Sequence, residues 1–466
     1  MSTADLQHSS RVKLIIPHQA YIQIRTETVF WLAFLLWSLL PVSKTPWVSA
    51  AGIPMRLTHV VLAVVAYLYL LVVASVPGRR VLDSSPSAAR LKNATLAVVV
   101  YAAMSISWSN TTGEDSTAMT ATLVLSTSAL ILGYGLVAGR SAASVRRFLW
   151  RLTLALAAIG LLYSSESLFS LGLRSVHDVA DFGIDRVKGP LFGAATGQFI
   201  LLPALGFALQ ELLLSRRRPA VKGGVILSLL ITIIGLGSRA ALLTLGIFVL
   251  MVAVILKSKK QRIVTVGVLF ATGALAWFAV FSKADPQRVM SLESLQRQIT
   301  HYSAWRILDQ RGLAENLVGC GYGSIWPWYV TDARRSTGNA RAWETAMKIS
   351  PGGPMAYHPH SNLLMLVVEL GVPGLLSFVL LWWFVIKHVA FNARYSLRPV
   401  SACAVLASCF SMFTDLCLFK NWSVAAIWWA FVFGSFVMAE GAKVAESQTE
   451  DDRSSRQGGA GPNDRQ

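Results

Sequence analysis

Long apolar stretches recur from one end of this sequence to the other. Many reach the roughly 20 residues that an α-helix needs to cross a bilayer core about 30 Å thick. Hydrophobic residues make up 54% of the chain and charged residues only 14%, a balance typical of membrane proteins. The pattern predicts an all-α polytopic membrane protein with about twelve transmembrane helices.

The predicted spans follow the apolar stretches in chain order. The first has no basic, apolar, small-residue cleavage pattern, so we interpret it as a retained helix and not a signal peptide. The seventh and eighth are separated only by "GSR", so this region is either one overlong helix or two short ones. The spans lie near Ile22–Val42, Leu57–Val76, Leu91–Trp108, Ala118–Ala138, Phe148–Leu171, Phe192–Leu214, Gly224–Gly237, Ala240–Leu256, Val264–Phe281, Ser361–Ile386, Val400–Leu418 and Trp422–Met438.

The basic residues indicate how these spans are oriented. The formal net charge is +18, but the lysines and arginines alternate with the spans and do not gather on one face, so nucleic acid is not an expected partner. Short loops rich in Lys and Arg stay cytoplasmic, and the alternation holds only if "GSR" is a hairpin turn. Both termini are then cytoplasmic. The loops predicted inside carry Arg79, Arg80, Arg90, Lys92, Arg140, Arg146, Arg147, Arg151, Arg216, Arg217, Arg218, Lys222, Lys257, Lys259, Lys260, Arg262, Lys387, Arg394 and Arg398.

One long polar loop interrupts this plan. Residues 282–360 form a predicted extracytoplasmic loop between spans nine and ten. Residues 1–21 are the predicted cytoplasmic N-terminus. Spans one to nine lie within residues 22–281, and spans ten to twelve lie within residues 361–440. Apolar residues at approximately helical spacing from Leu292 to Leu308, followed by "LVGCGYGSIWPWYV", predict a helix and a glycine turn folded over the outer mouth of the bundle. Residues 441–466 are polar and aperiodic, which predicts a disordered cytoplasmic tail.

Several cationic side chains fall on the predicted outer side, at the membrane boundary. Arginine presents a planar fork of donors, so several converging at a cavity would suit a diphosphate. A boundary arginine also commonly snorkels to lipid headgroups, and an outward histidine is often only a surface residue. Arg239 resists that alternative best, because it lies in a turn between two spans. The candidates are Arg186, Arg239, Arg297, Arg306, His358 and His360.

Four segments together resemble the O-antigen ligase and O-antigen polymerase superfamily. "HPHSNLLMLVVELGVPGLL" is similar to that family's signature, with His360 nine residues before Glu369. "SAWRILDQRGLAENLVGCGYG" resembles its tryptophan-anchored helix and Gly-x-Gly turn. "GSRAALL" and "DRVKGPLFG" resemble its Ser-Arg and Arg-x-x-Gly segments.

The chain departs from the family pattern at two places. Four residues before Trp305, where the family often has arginine, this chain has His301, so Arg306 or Arg297 is the candidate substitute. After the Arg-x-x-Gly segment it has "GAAT" where relatives commonly carry Asn-Pro-Asn.

The resemblance implies a glycosyltransferase of the bacterial inner membrane with its active site facing the periplasm. The donor would be an oligosaccharide on undecaprenyl diphosphate, and the acceptor either a lipid A core or a growing polysaccharide. His360, with His358 as the weaker candidate, would activate or position the acceptor hydroxyl. Arg186, Arg239, Arg306, Arg297 and His301 would contact the diphosphate.

The sequence has no Asp-x-Asp and no Cys/His set with metal spacing on the predicted outer side, so we expect no metal and no other cofactor. The four cysteines imply no structural disulfide. The residues leave ligase and polymerase equally open. The competing hypothesis is a carrier such as a flippase for lipid-linked sugars. In a carrier, Glu166 and Glu369 within the spans would be proton-linked residues, although hydrogen bonding inside the bundle explains them as well.

Overall fold

The computed structural model describes most of the helical part of the chain. The described residues are 27–40, 47–50, 53–74, 85–109, 113–169, 187, 189, 191–193, 196–215, 217–256, 258–259, 262–263, 265–267, 269–271, 274, 295–326, 347–350, 353–356, 359–392 and 399–458. Of the twelve predicted spans, the ninth lies largely outside this set.

The described chain is predominantly helical. Its helices are α1 (Glu27–Leu39), α2 (Leu57–Ala74), α3 (Pro86–Ser105), α4 (Gly113–Gly135), α5 (Ala142–Phe169), α6 (Gly197–Leu214), α7 (Pro219–Gly235), α8 (Arg239–Ile255), α9 (Leu295–Gln310), α10 (Leu313–Val318), α11 (Asn362–Asn392), α12 (Pro399–Cys409) and α13 (Trp422–Gly458). Short 3₁₀ turns, Ile106–Trp108 and Phe410–Phe413, extend α3 and α12.

Five of the described helices are long and apolar enough to cross a membrane, namely those over Pro86–Trp108, Ala142–Glu166, Gly197–Leu214, Asn362–Phe391 and Trp422–Ala442. Six shorter apolar helices accompany them: Glu27–Leu39, Leu57–Tyr69, Met119–Gly135, Pro219–Gly235, Arg239–Ile255 and Pro399–Phe413. These helices coincide with eleven of the predicted apolar stretches. The prediction of a helical chain with membrane-length apolar helices is therefore confirmed, and the number of twelve spans stays a prediction.

Two short antiparallel ladders add to the helices, in segments for which the sequence predicted no strand. Strand β1 (Trp47–Ala50) pairs with β2 (Ile53–Arg56), and β3 (Met347–Ser350) pairs with β4 (Gly353–Ala356). Each strand has only four residues, too few for an alternating pattern to stand out in an apolar sequence. Strand β4 packs against α9. Both elements belong to the long loop, so this contact joins two parts of the loop to each other.

Helices α6 and α13 occupy the middle of the bundle, since 83% and 89% of the residues in their 18-residue apolar stretches are buried. Helix α6 is apolar on every side, as a helix surrounded by other helices should be. It packs closely on α12 because Gly206 has no side chain to hold Ala404 away. On α13, Trp428 stacks on Phe199 with ring centroids 4.6 Å apart. These contacts place the packing core around α6, α12 and α13.

The region around "GSR" consists of two helices and not one. Helix α7 ends at Gly235 and α8 begins at Arg239, and the intervening Gly237 has a φ of 58°. Glycine adopts this left-handed conformation without steric cost. The structure thus has the helical hairpin that the alternation of basic loops requires.

The helical ends divide into two groups. At what we call the basic end, Arg140 bonds to Glu27, Arg146 bonds to Glu211 and Lys222 lies beside the end of α6. At what we call the histidine end, α8 and α11 begin, with Arg239 and His360 at their starts. The described cations of the predicted cytoplasmic loops and the described site candidates therefore lie at opposite ends of the helices.

Helix α13 continues well past the last predicted span. Its helical backbone reaches Gly458, which is inside the 441–466 segment predicted to be a disordered tail. The added stretch "AKVAESQTEDDRSSRQG" has no proline and several good helix formers, so nothing local ends the helix before the glycines.

Candidate functional site

The histidine end is covered by part of the long loop. Helix α9 leads through the short helix α10 into a turn in which Gly319, Gly321 and Gly323 have φ values of 83°, 93° and 80°. The sequence predicted a helix followed by a glycine turn, and the structure has both. The short second helix was not predicted, because six residues carry too little periodicity to recognise.

The glycine turn is anchored by one buried acid, Glu369 of α11. Its carboxylate accepts hydrogen bonds from the backbone N–H groups of Gly323 at 3.0 Å, Ile325 at 3.2 Å and Trp326 at 2.9 Å. Its backbone carbonyl accepts a further bond from the Gly321 N–H at 3.0 Å. A buried carboxylate needs such donors. Glu369 therefore acts as a clamp that holds the turn on α11.

The close approach of the two backbones explains two of the glycines. A Cβ on Gly319 would lie 2.3 Å from the carbonyl oxygen of Glu369, and one on Gly371 would lie 2.6 Å from the Gly319 nitrogen. Gly371 also interrupts α11, with φ 61° and ψ −142°. Any larger residue at either position would push the turn off the helix. The "ELG" and "GCG" segments thus fit together as backbone against backbone.

Further contacts attach the turn to α3, α4 and α11. The Tyr322 N–H donates to the Ser105 Oγ at 2.9 Å, and the Tyr322 hydroxyl lies 2.8 Å from the Thr122 Oγ1. Burial raises the pKa of Tyr322 well above its usual value, so its phenol stays neutral. Arg311 donates from Nη1 to the Val368 carbonyl at 2.7 Å. The loop is therefore tied to three helices of the bundle.

Cys320 lies inside this turn and is partly buried. Burial, followed by the nearby Glu369 charge, raises the pKa of its thiol to about 11. The thiol is therefore protonated at neutral pH and is a poor nucleophile. Its place in the turn indicates packing and not chemistry.

The segment that starts α11 is held in an uncommon conformation. His360 has a φ of 51° and is partly exposed, directly after the buried Pro359. The Ser361 Oγ accepts from the Leu364 N–H at 3.2 Å, which caps the first turn of α11. Left-handed backbone is uncommon for non-glycine residues, and such positions cluster at functional sites.

The next residue, Asn362, links this segment to the end of α12. Its Nδ2 donates to the Asp415 carbonyl at 2.8 Å. Its Oδ1 is buried and has no hydrogen-bond partner among the residues that the structure describes. This oxygen is an acceptor beside His360 that the sequence did not point to as a functional group.

The arginine candidates are placed in part. Arg239 is the first residue of α8 and is exposed. Arg186 lies outside the described residues. The N–H of the next residue, Val187, donates to the carbonyl of Gly235 at 2.8 Å, and Gly235 is the last residue of α7. The structure therefore brings Val187 next to the end of α7, just before the turn that leads to Arg239.

The remaining candidates belong mostly to α9. Arg306 is exposed, and its guanidinium carbon lies 5.8 Å from the ring centroid of Tyr302 on the same helix. His301 is partly buried. Arg297 is part of the helical backbone, but its side chain is outside the described set, as is the whole of His358. Which arginine takes the place of the family's arginine at the His301 position, Arg306 or Arg297, therefore stays a prediction.

Sequence reasoning assigned no site role to Tyr322, Arg311 or Asn362, and it considered Glu369 only as a proton-linked residue of a carrier or as a group hydrogen-bonded inside the bundle. One available signal was the isolated Glu369 within an apolar span, because an acid there requires partners. The three glycines at alternate positions from Gly319 to Gly323 were the matching signal for backbone donors. Nothing in the sequence linked the two.

Within the described part of the chain, no group of three or more His, Cys, Asp and Glu side chains is arranged to hold a metal ion. The sequence matches no model of a known protein family, and no curated protein matches it significantly.

Proposed function

We propose that this protein is a membrane glycosyltransferase that moves an oligosaccharide from a polyprenyl diphosphate to an acceptor sugar. The acceptor hydroxyl attacks the anomeric carbon, the bond from that carbon to the diphosphate oxygen breaks, and the hydroxyl proton passes to a base. The lipid diphosphate leaves as an anion. The positive-inside argument assigns the histidine end to the outer face of the membrane.

The observation that carries this proposal is the clamp between Glu369 and the glycine turn. The clamp joins two segments that are 46 residues apart, Gly323 and Glu369, and both belong to the family-like motifs. A structural lock of this kind explains why an acid, two glycines and a glycine-rich turn occur together. It also seats α10 and the glycine turn on Val368–Gly371 of α11, the helix that His360 precedes.

Each candidate residue has a role that suits its position. His360 follows a rigid proline and precedes a capped helix, so its backbone is fixed for positioning a hydroxyl or accepting its proton. Arg239 stands at the N-terminus of α8, where the unpaired N–H groups of the first turn add to the positive charge. Arg186 precedes Val187, whose N–H bonds to the end of α7 before that turn, and we assign Arg186 to the same diphosphate. Together these cations would stabilise the charge that grows on the leaving diphosphate.

A carrier for the same lipid-linked sugars is the second candidate, and one observation favours it. Helix α11 is interrupted at Gly371 and contains Pro373, and discontinuous helices are common at the substrate sites of transporters. In this chain, however, the carbonyls of Asn316 and Leu317 and the N–H of Gly319 approach the break. The interruption is filled by the chain's own loop, which favours the enzyme.

Product analysis with purified protein distinguishes the two. The protein is incubated in liposomes with an undecaprenyl diphosphate oligosaccharide, with and without a lipid A core acceptor, and the products are resolved by mass spectrometry. A ligase transfers the glycan only when the core is present, and a polymerase lengthens the donor glycan without it. Movement of intact donor across the bilayer, with no new glycosidic bond, would replace the enzyme by a carrier.

A further inference from the structure

A cavity of about 540 Å³ lies at the basic end, between α3, α11 and α13 and at the opposite end of the helices from the candidate site. Its lining combines aromatic rings with charged side chains of both signs. The rings are Phe384, Phe391 and Phe436, and the charged groups are Arg90, Lys387 and Glu440. Such a lining is suited to an amphiphilic molecule that carries both a cation and an anion.

The acid of this cavity is only half satisfied. Glu440 accepts a hydrogen bond at Oε1 from the Ser87 N–H in the first turn of α3, at 3.3 Å. Its Oε2 is buried and has no hydrogen-bond partner among the described residues. A buried carboxylate oxygen is costly without a donor. A bound ammonium group in the cavity would supply the charge opposite to this carboxylate.

The two cations are placed on neighbouring helices. Arg90 of α3 and Lys387 of α11 both line the cavity, and the two helices pack against each other. Both side chains are exposed, so they can move onto a ligand without first leaving a buried environment. A phosphate between a guanidinium and an ammonium is a favourable arrangement.

The inner wall is rigid and apolar. His388 stacks on the Phe436 ring with centroids 3.8 Å apart, and its Nε2 lies 3.0 Å from the Ser435 Oγ. The same histidine also lines a second cavity of about 350 Å³ on the far side, beside Arg146 and Glu211. His388 thus forms part of the wall between the two cavities and orients the aromatic surface on which an acyl chain can lie.

We propose that this cavity binds one phospholipid with an ethanolamine headgroup. The phosphate lies between Arg90 and Lys387, the ammonium pairs with the Glu440 carboxylate, and the start of an acyl chain packs on Phe384 and Phe391. Basic pockets between membrane helices are a recurrent site for lipid headgroups. Glu440 is what separates this site from one for anionic lipids, and the proposal does not depend on the proposed catalytic function.

The test is native mass spectrometry of the full-length protein, released from bilayers that contain equal amounts of phosphatidylethanolamine, phosphatidylglycerol and phosphatidylcholine. We expect phosphatidylethanolamine to be the retained lipid. Phosphatidylglycerol has no ammonium, and the quaternary ammonium of phosphatidylcholine has no N–H to donate. Glu440→Gln should lower the retained fraction about tenfold, the effect of losing one charged hydrogen bond. Glu440→Asp, which keeps the charge, should retain most of it.

A charge-matched pair of double variants checks the phosphate. Arg90→Gln with Lys387→Gln should lose the lipid, whereas Arg147→Gln with Arg217→Gln removes the same charge from exposed positions at the same end, outside the cavity lining, and should keep it. Equal loss in both doubles would mean a general attraction to headgroups and would overturn the proposal.

Two other results would also overturn it. One is retention of phosphatidylglycerol equal to that of phosphatidylethanolamine. The other is displacement of the lipid by free phosphoethanolamine at equal concentration, which would indicate a soluble ligand. If Glu440→Gln does not give a monodisperse protein, the single Lys387→Gln change at an exposed position carries the same test, and unchanged retention there counts against the site.

Discussion

The two ends of the helical bundle use their charges differently. At the basic end, Arg146 forms two bonds to Glu211, at 2.5 and 2.8 Å, and Lys222 donates to the carbonyls of Glu211 and Ser215 at 2.6 and 2.7 Å. At the histidine end, Arg239 and Arg306 are exposed, and the acid Glu369 bonds to backbone N–H groups. The comparison indicates that Arg146 and Lys222 hold helices together at the basic end, while Arg239 and Arg306 at the histidine end are available to a ligand.

The two ends also differ in which elements their bonds connect. The basic-end pairs join α5 to α6 through Arg146, and α1 to α5 through Arg151 and to Arg140 between α4 and α5, so they connect helices directly. The clamp at the histidine end joins a loop to a span. An element attached by a few defined bonds can be reshaped around a substrate more easily than a packed helix. This difference is what the following experiments test, from the largest expected effect to the smallest.

Replacing His360 should have the largest effect. If it accepts or orients the acceptor hydroxyl, His360→Ala should lower the rate of glycan transfer by roughly 10² to 10⁴ and leave binding of the lipid-linked donor nearly unchanged. Transfer is followed by gel or mass analysis of the products, and binding by fluorescence titration. His358→Ala is the control, for which we expect the milder loss. Full activity in a well-folded His360→Ala protein would remove histidine from the mechanism.

Replacing Glu369 should have the largest effect on stability. Glu369→Ala leaves three N–H groups of the glycine turn without their acceptor, and the loss of one side of a buried charged network costs roughly 3 to 5 kcal/mol. The apparent melting temperature in detergent should fall, and the turn around Trp326 should become sensitive to protease. Glu315→Ala, an exposed acid on α10, should change neither. Equal protease resistance in the wild-type and Glu369→Ala proteins would mean that the clamp does not hold the loop.

The exposed arginine at the start of α8 provides a smaller effect. Arg239→Ala should weaken donor binding by about 2 kcal/mol, the low end of the range for one partner of a desolvated charge pair, because the side chain is exposed before substrate binds. Arg239→Lys should restore little, since an ammonium cannot form the two parallel bonds of a guanidinium. Arg217→Ala at the basic end is the matched control. Full donor binding in the Arg239→Lys protein would contradict this and would show that Arg239 contributes only its positive charge.

The ion pair at the basic end should contribute less and in a different measurement. Arg146→Ala removes a pair whose arginine side chain is 44% exposed, so the expected loss of unfolding free energy is about 1 kcal/mol or less. Donor binding and transfer should not change. A loss of transfer without a loss of stability would show that the two ends do not divide structure and function as proposed.

The smallest effect is a pH dependence at Cys320. Because burial raises the pKa of this thiol to about 11, the reactive thiolate is scarce at neutral pH. Labelling by a thiol reagent should be slow at pH 8 and should accelerate as the pH rises toward 11. The Cys320→Ser protein identifies the signal, and labelling that is already fast and constant at pH 8 would contradict a buried, neutral thiol.

The unequal success of the sequence interpretation has a physical basis in the length scale of each pattern. An apolar span repeats one property over about 20 residues, so it is visible without knowledge of the fold. Helices α3, α5, α6, α11 and α13 were recognised in that way. The hairpin at Gly237 was predicted from the alternation of basic loops along the sequence, which can be read without knowing any contact between helices. The four-residue strands and the helix Leu313–Val318 were too short to stand out.

The sequence by itself determined the predominantly helical class with its membrane-length apolar segments, the segregation of basic residues and the segments that carry the candidate site. Only the tertiary structure decided that Glu369 serves the glycine turn, that Val187 bonds to the α7–α8 turn, and that Glu440 faces a cavity with Arg90 and Lys387. The reason is that a hydrogen bond between residues dozens or hundreds of positions apart depends on where whole helices pack, and packing is a property of the assembled bundle. A periodic sequence pattern predicts a helix and which of its faces is buried, but it does not identify the helix or loop against which that face packs.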